Sequence, residues 1–157
     1  MLKIKNIFYV LLILFFFAQF FKPEENITNN KTVDAFVKDT NMPEPVRVIL
    51  EDACFNCHTA QTQYPWYNNI TPINYWISRD IKAAKKHFNM SHWAGNSVKI
   101  KDAKFKAIIA LVNANKMPLP LYKVMHKEAQ LTHKQIEAIT HWANLVRLKY
   151  SMQDLPQ

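Results

Sequence analysis

The chain has 157 residues, of which 49% are hydrophobic and 20% are charged, and its formal net charge is +8. This composition excludes wholesale disorder, because the chain has enough apolar residues to form a core. Its single glycine, Gly95, excludes a sandwich or barrel that needs many tight turns. We therefore predict an all-α fold whose helices are joined by proline-bearing loops.

Residues 1–23 have the pattern of a signal-anchor or transmembrane segment. Two lysines precede the apolar run Ile7–Phe21, and Lys22 closes it. Ala18 is the only small residue near the end of this run, which favours an uncleaved anchor over a cleaved signal. The run is short, since fifteen helical residues span about 22 Å against a hydrocarbon core of about 30 Å. The basic start predicts one anchor in a bacterial inner membrane, with the domain in the periplasm.

The rest of the chain divides into two parts. Residues 24–42 are mostly polar and predict a tether that holds the domain off the membrane. Residues 43–150 form a stretch of the right length for one domain. Within it, the segment that begins at Pro45 predicts a short helix, because Val46, Ile49 and Leu50 share one face.

The two cysteines are the clearest signal of chemistry. They stand as Cys54-Phe-Asn-Cys57 and are followed directly by His58. A zinc site would need two further ligands, and the chain has no second cysteine pair. A thioredoxin-like redox pair would follow a strand, whereas the segment before Cys54 predicts a helix. The remaining interpretation is the C-x-x-C-H motif of covalent haem attachment, with a plain disulfide as the alternative.

This motif has a chemical reason. Two thiols separated by two residues in a helical turn can each add to one vinyl group of a porphyrin, and the next residue then projects towards the iron. Such attachment takes place in an oxidising, exported compartment, in agreement with the N-terminal segment. We therefore predict one haem c per chain, held by Cys54 and Cys57, with His58 as an axial iron ligand.

The second axial ligand is predicted from a proline-rich loop. Met117 is followed by Pro118, which restrains the preceding residue to an extended conformation. A thioether held in this way is suited to the far side of a flat cofactor, and His/Met ligation raises the potential of haem iron. His126 is the first alternative, and Met90 or an open site are the others.

Helices and an aromatic loop are predicted around the cofactor. The helices cover 77–86, 103–113 and the stretch after a capping box formed by Thr132 and Gln135. The last helix carries its apolar residues on one stripe, flanked by a tryptophan that we assign to the core. The aromatic loop at 64–76 is expected to cover the porphyrin edge with four side chains, those of Tyr64, Trp66, Tyr67 and Trp76.

The order of these elements resembles the class I c-type cytochromes, and more closely a bacterial family of membrane-anchored haem-binding domains. The resemblance covers about residues 45–148. It rests on the following segments: Cys54–His58, Tyr64–Tyr67, Pro72 with Trp76, Phe88–Trp93, Met117-Pro118 with Tyr122 and His126, and Ala129 with Leu131. The chain departs from the family pattern at Leu119, where a second proline is usual, and at Ser78-Arg79, where glycine usually precedes the arginine. The resemblance implies haem c binding and a cytochrome c-like helical domain.

These features predict a membrane-tethered electron-transfer module rather than an enzyme. Residues 79–149 contain fourteen basic and four acidic residues, so we expect a basic surface that docks an acidic redox partner. Nucleic acid is not an expected partner, because the lysines form no known binding motif and the chain has an export signal. The alternative function is a haem enzyme or a gas or redox sensor with an open or displaceable distal ligand.

Overall fold

The structure is a computed structural model that describes residues 4–28 and 32–153. The predicted basic start at Lys3 and part of the predicted tether, 29–31, lie outside these ranges. Eight α-helical segments occur within them: α1 (Ile4–Ala18), α2 (Asp34–Thr40), α3 (Glu44–Leu50), α4 (Asn56–His58), α5 (Ile73–His87), α6 (Val98–Asn113), α7 (Pro120–Met125) and α8 (His133–Gln153). No β-strand occurs in the described ranges, so the predicted all-α fold is confirmed.

The N-terminal helix α1 is apolar on every side, and most of its side chains are exposed. We predicted a transmembrane segment here, and the structure does not supply one. Within the described part of the chain, no helix combines the length and the apolar character that a membrane crossing requires. The helix itself has 15 residues.

The predicted tether over 24–42 is largely part of the folded unit. Asn26 to Thr28 pair with the loop after the cysteine motif, through an isolated antiparallel bridge between Ile27 and Gln61. Helix α2 follows and buries Phe36 completely, while Met42 is buried just beyond it. Val33 and Val37 also pack against the core, so α2 is fixed to the domain although this segment is mostly polar.

The core lies where α2, α3, α6 and α8 meet. Phe36 is at its centre and makes edge-on contacts with Phe88, Trp93 and Trp142, while its ring stacks on Phe105. Aromatic pairs in these geometries stabilise a core beyond the area they bury. The cluster joins the N-terminal part of the domain to its last helix.

The predicted helices are confirmed. Helix α3 begins at Glu44, one residue before the predicted start at Pro45. Helix α6 begins earlier than predicted because Ser97 caps it by accepting a hydrogen bond from the Ile100 amide. The capping box is also present: the Thr132 amide donates to Gln135 Oε1, and the Gln135 amide donates to Thr132 Oγ1. The stripe of α8 is buried as predicted, and its tryptophan belongs to the core.

Asp39, the residue before the end of α2, is a hub of hydrogen bonds. Its Oδ2 accepts from Trp93 Nε1 at 2.7 Å, from Lys101 Nζ at 2.9 Å and from the Tyr150 hydroxyl at 2.7 Å. Burial alone would raise the pKa of Asp39, but these bonds outweigh it and lower the pKa from 3.8 to about 2. The ionised carboxylate therefore ties α2 to α6 and α8.

This hub predicts a pH-dependent stability. Because the pKa of Asp39 is lower in the folded state, its contribution is present above about pH 3.8 and is lost as the pH falls towards about 2. We expect Asp39→Asn to lower the free energy of unfolding at pH 7 by roughly 2 kcal/mol and to flatten this dependence. Denaturant unfolding between pH 2 and pH 7 measures both effects.

Asp34→Asn is the matched control for this prediction, because Asp34 lies on the same helix and is exposed. We expect it to change the free energy of unfolding at pH 7 by less than about 0.5 kcal/mol. An Asp39→Asn variant that keeps the wild-type stability and its pH dependence would contradict the stabilising role of the Asp39 carboxylate.

Candidate functional site

The cysteine motif lies in a continuous helical run. Helix α3 passes into a π-helical turn, Glu51–Phe55, and then into the single turn of α4. Cys54 lies in the π-helical turn, and Cys57 and His58 lie in α4. Both thiols are free and half-buried. The predicted helical setting of the motif is thus confirmed.

The imidazole of His58 is held by the segment that follows α5. Its Nδ1 lies 2.8 Å from the carbonyl oxygen of Phe88, and the backbone amide of Met90 donates to the His58 carbonyl, also at 2.8 Å. Because a carbonyl oxygen only accepts hydrogen bonds, Nδ1 must carry the proton. Nε2 then keeps its lone pair, which is the form in which histidine binds a metal.

Burial also favours the neutral ring. It lowers the pKa of His58, and the hydrogen bond to Phe88 only partly opposes this effect. The pKa values of the two thiols are raised instead. Burial raises the pKa of Cys54 to about 12 and that of Cys57 to about 11, helped by the neighbouring thiol and by Asp80, respectively. Thioredoxin-like pairs have lowered thiol pKa values, so these electrostatics disfavour a dithiol redox site.

The aromatic residues of the predicted porphyrin cover have different surroundings. The Tyr64 hydroxyl accepts a hydrogen bond from the Asn26 amide, so this ring fixes the N-terminal segment. Trp66 and Trp76 are exposed, at 73% and 52%. Of these four residues, Tyr67 is the one that forms a hydrogen bond to another predicted site candidate, His126.

Tyr67, His126 and Glu128 form a hydrogen-bonded chain, which we call the Tyr–His–Glu chain. The Tyr67 hydroxyl lies 2.7 Å from His126 Nε2, and His126 Nδ1 lies 2.8 Å from Glu128 Oε1. The ionised carboxylate only accepts, so Nδ1 donates to it, and in the neutral ring Nε2 accepts from the hydroxyl. Both ring nitrogens of His126 are thus engaged, which disfavours it as an iron ligand in this conformation.

This chain lies beside the cysteine motif. The Tyr122 ring stacks on His126 with 4.1 Å between centroids, and its hydroxyl accepts from Asn56 Nδ2 within the motif. Burial raises the pKa of the Tyr67 and Tyr122 hydroxyls, and the nearby Cys57 thiol contributes in the same direction. The sequence analysis did not predict that Asn56 and Glu128 belong to this site. The position of Glu128, two residues after His126, could have indicated their contact.

Met117 lies in the loop between α6 and α7, as predicted. It is half-buried, and the proline that follows it, Pro118, is buried. The Met117 amide donates to the Leu111 carbonyl, which anchors the loop to the end of α6. Met90, the alternative methionine, is buried in the aromatic core. Met117 therefore stays the predicted second ligand, and Met90 becomes a core residue.

The donor set fits a haem. Two free thiols, a histidine with its Nε2 lone pair available and a loop methionine are the groups that haem c attachment uses. A family model described as a haem-binding domain matches residues 13–145. The chain belongs to this haem-binding domain family. The match extends from α1 into α8 and includes the whole cysteine motif. No curated protein and no solved structure matches the chain.

The contact of His58 with Phe88 predicts its tautomer. In the haem-free chain at pH 8 we expect the neutral His58 ring to carry its proton on Nδ1 in most molecules, because the carbonyl acceptor at 2.8 Å favours this form by about 1 kcal/mol or more. Nitrogen-15 NMR of the imidazoles measures it. The exposed His141 is the control and should show a mixture of tautomers. A His58 ring protonated on Nε2 would contradict the described site.

Proposed function

We propose that this haem-binding domain carries one covalently attached haem c and transfers electrons. Cys54 and Cys57 would bind the porphyrin as thioethers, and His58 would ligate the iron through Nε2. When bound, haem supplies a centre that takes up and releases one electron. The observation that carries the proposal is the hydrogen bond from His58 Nδ1 to the Phe88 carbonyl, since it leaves Nε2 available beside two free thiols.

We assign Met117 as the second axial ligand. The alternative His126 has both nitrogens occupied in the Tyr–His–Glu chain, and the alternative Met90 is buried in the core. Met117 is on a loop between two helices and does not belong to the hydrophobic core cluster. Thioether ligation would raise the reduction potential of the iron relative to ligation by a second histidine.

The setting that we propose is the periplasmic side of a bacterial inner membrane. The exposed apolar surface of α1 is unfavourable in water, and insertion into lipid would remove it. The lysine-rich region from Arg79 to Lys149 gives the domain a basic surface, which supports an acidic redox partner. Sedimentation of the full chain with lipid vesicles tests the first point: protein that stays in the supernatant would contradict it.

The ligand assignment predicts a specific spectral change. We expect the reduced protein to have a six-coordinate, low-spin haem spectrum, and Met117→Ala to lose this coordination and lower the reduction potential. Met125→Ala is the control, because Met125 is exposed in the neighbouring helix and should leave both unchanged. A Met117→Ala protein with the wild-type spectrum would contradict the assignment.

A second candidate function is a haem enzyme or sensor with a displaceable distal ligand. The Tyr–His–Glu chain favours it, because a hydroxyl and an imidazole beside the motif can donate or accept protons. This candidate predicts that the reduced wild-type protein binds carbon monoxide rapidly. The electron-transfer proposal predicts that carbon monoxide binds only after the second ligand is removed, as in Met117→Ala.

A further inference from the structure

Three large aromatic side chains are exposed within eleven residues of one another. Trp66, Tyr75 and Trp76 are exposed at 73%, 45% and 52%, whereas the other two tryptophans of the chain, Trp93 and Trp142, are buried. We call these three residues the aromatic surface. Aromatic rings with a polar edge are enriched at the boundary between lipid and water, where the ring is in contact with lipid and the polar group with water.

The end of the apolar helix α1 is fastened directly to this part of the fold. The side-chain amide of Gln19 donates to the Thr71 carbonyl at 3.1 Å, and its Oε1 accepts from the Thr71 amide at 2.9 Å. The Thr71 hydroxyl also donates to the Phe21 carbonyl. Lys22 Nζ donates to Asn69 Oδ1 at 3.2 Å. This latch, formed by Gln19 with Thr71, fixes where the apolar helix leaves the domain.

The residues of the aromatic surface come shortly before and shortly after Thr71 in the sequence. Trp66 and Asn69 are three residues apart in the 3₁₀ helix Trp66–Asn69, so their side chains are on the same face. Asn69 contacts Lys22, and Trp66 is therefore on the face that meets the end of the α1 segment. Tyr75 and Trp76 lie in the first turn of α5, which begins two residues after Thr71.

A basic face continues from the aromatic surface along α5. Tyr75, Arg79, Lys82 and Lys86 follow one another at spacings of four, three and four residues, so they share one side of the helix, and all four are exposed. Cations next to interfacial aromatic residues are attracted to anionic lipid headgroups. The charge of this face thus matches a bacterial membrane surface.

We propose that the aromatic surface rests on the lipid bilayer at headgroup depth, with the basic face of α5 above the headgroups. The proposal rests on the insertion of α1 proposed above. The latch holds the domain against the membrane. Trp66 and Trp76 then have a role in docking to the membrane rather than in covering the porphyrin edge.

The test uses the full haem-containing chain in nanodiscs of anionic lipid that include a photoactivatable lipid, reactive at headgroup depth. Mass spectrometry after illumination locates the cross-links. We expect labelling of the C-terminal end of α1 and of Trp66, Tyr75 and Trp76. Leu145 and Leu148 are the matched controls, because they are exposed to a similar extent on α8 and should not be labelled.

Two outcomes would overturn the proposal, and they are distinguishable. If α1 is labelled but the aromatic surface is labelled no more than the α8 controls, the docking surface is wrong and the anchoring stands. If neither is labelled while the absorption spectrum shows bound haem, the anchoring fails and the docking surface fails with it. The haem spectrum is read on the same sample, so loss of the fold is not mistaken for either outcome.

A latch variant adds a second measurement. Gln19→Ala removes both hydrogen bonds to Thr71, so we expect roughly fivefold weaker labelling of the aromatic surface, with α1 labelled as before. The exposed Gln63→Ala is the control and should keep the wild-type pattern. Unchanged labelling in Gln19→Ala would contradict the role of the latch in holding the domain against the bilayer.

Discussion

The hydrogen bond from His58 to the Phe88 carbonyl is the contact on which the proposed haem site depends. It places the ring proton on Nδ1 and leaves Nε2 with its lone pair. The neighbouring backbone supports this contact, because the Met90 amide donates to the His58 carbonyl and the Ala60 amide donates to the Ser91 hydroxyl. The segment around Phe88, thirty residues further along the chain, therefore orients the histidine that we propose as the iron ligand.

The loop is itself held by the core. Phe88 contacts Phe36 and Trp93 edge-on, and Trp93 donates a hydrogen bond to Asp39. Both Phe36 and Asp39 belong to α2, so a seven-residue helix supports the element that orients His58. We infer that substitutions in α2 affect the orientation of His58 through Phe88, although α2 does not contact the cysteine motif directly. Helix α2 is thus part of the structural support of the proposed haem site.

The sequence predicted the features that depend on local patterns. The short helix α3, the capping box at Thr132 and the helical setting of the two cysteines each involve residues within one or two helical turns, and the structure confirms all three. Contacts between distant residues could not be predicted. The partner of His58 is a backbone carbonyl, which has no side-chain signature, and the bond between Gln19 and Thr71 joins two ordinary polar residues 52 positions apart. The burial of Phe36 could not be predicted for the same reason, since the residues around it in the sequence are mostly polar.

The central claim is that haem is bound covalently through the two cysteines of this family member. Mass spectrometry of the intact, denatured chain tests it most directly, after expression in a bacterium that attaches haem c to exported proteins. We expect the denatured wild-type chain to keep the mass of one haem, and the denatured double variant Cys54→Ala/Cys57→Ala to lack this mass. A wild-type chain that releases all of its haem on denaturation would contradict covalent attachment.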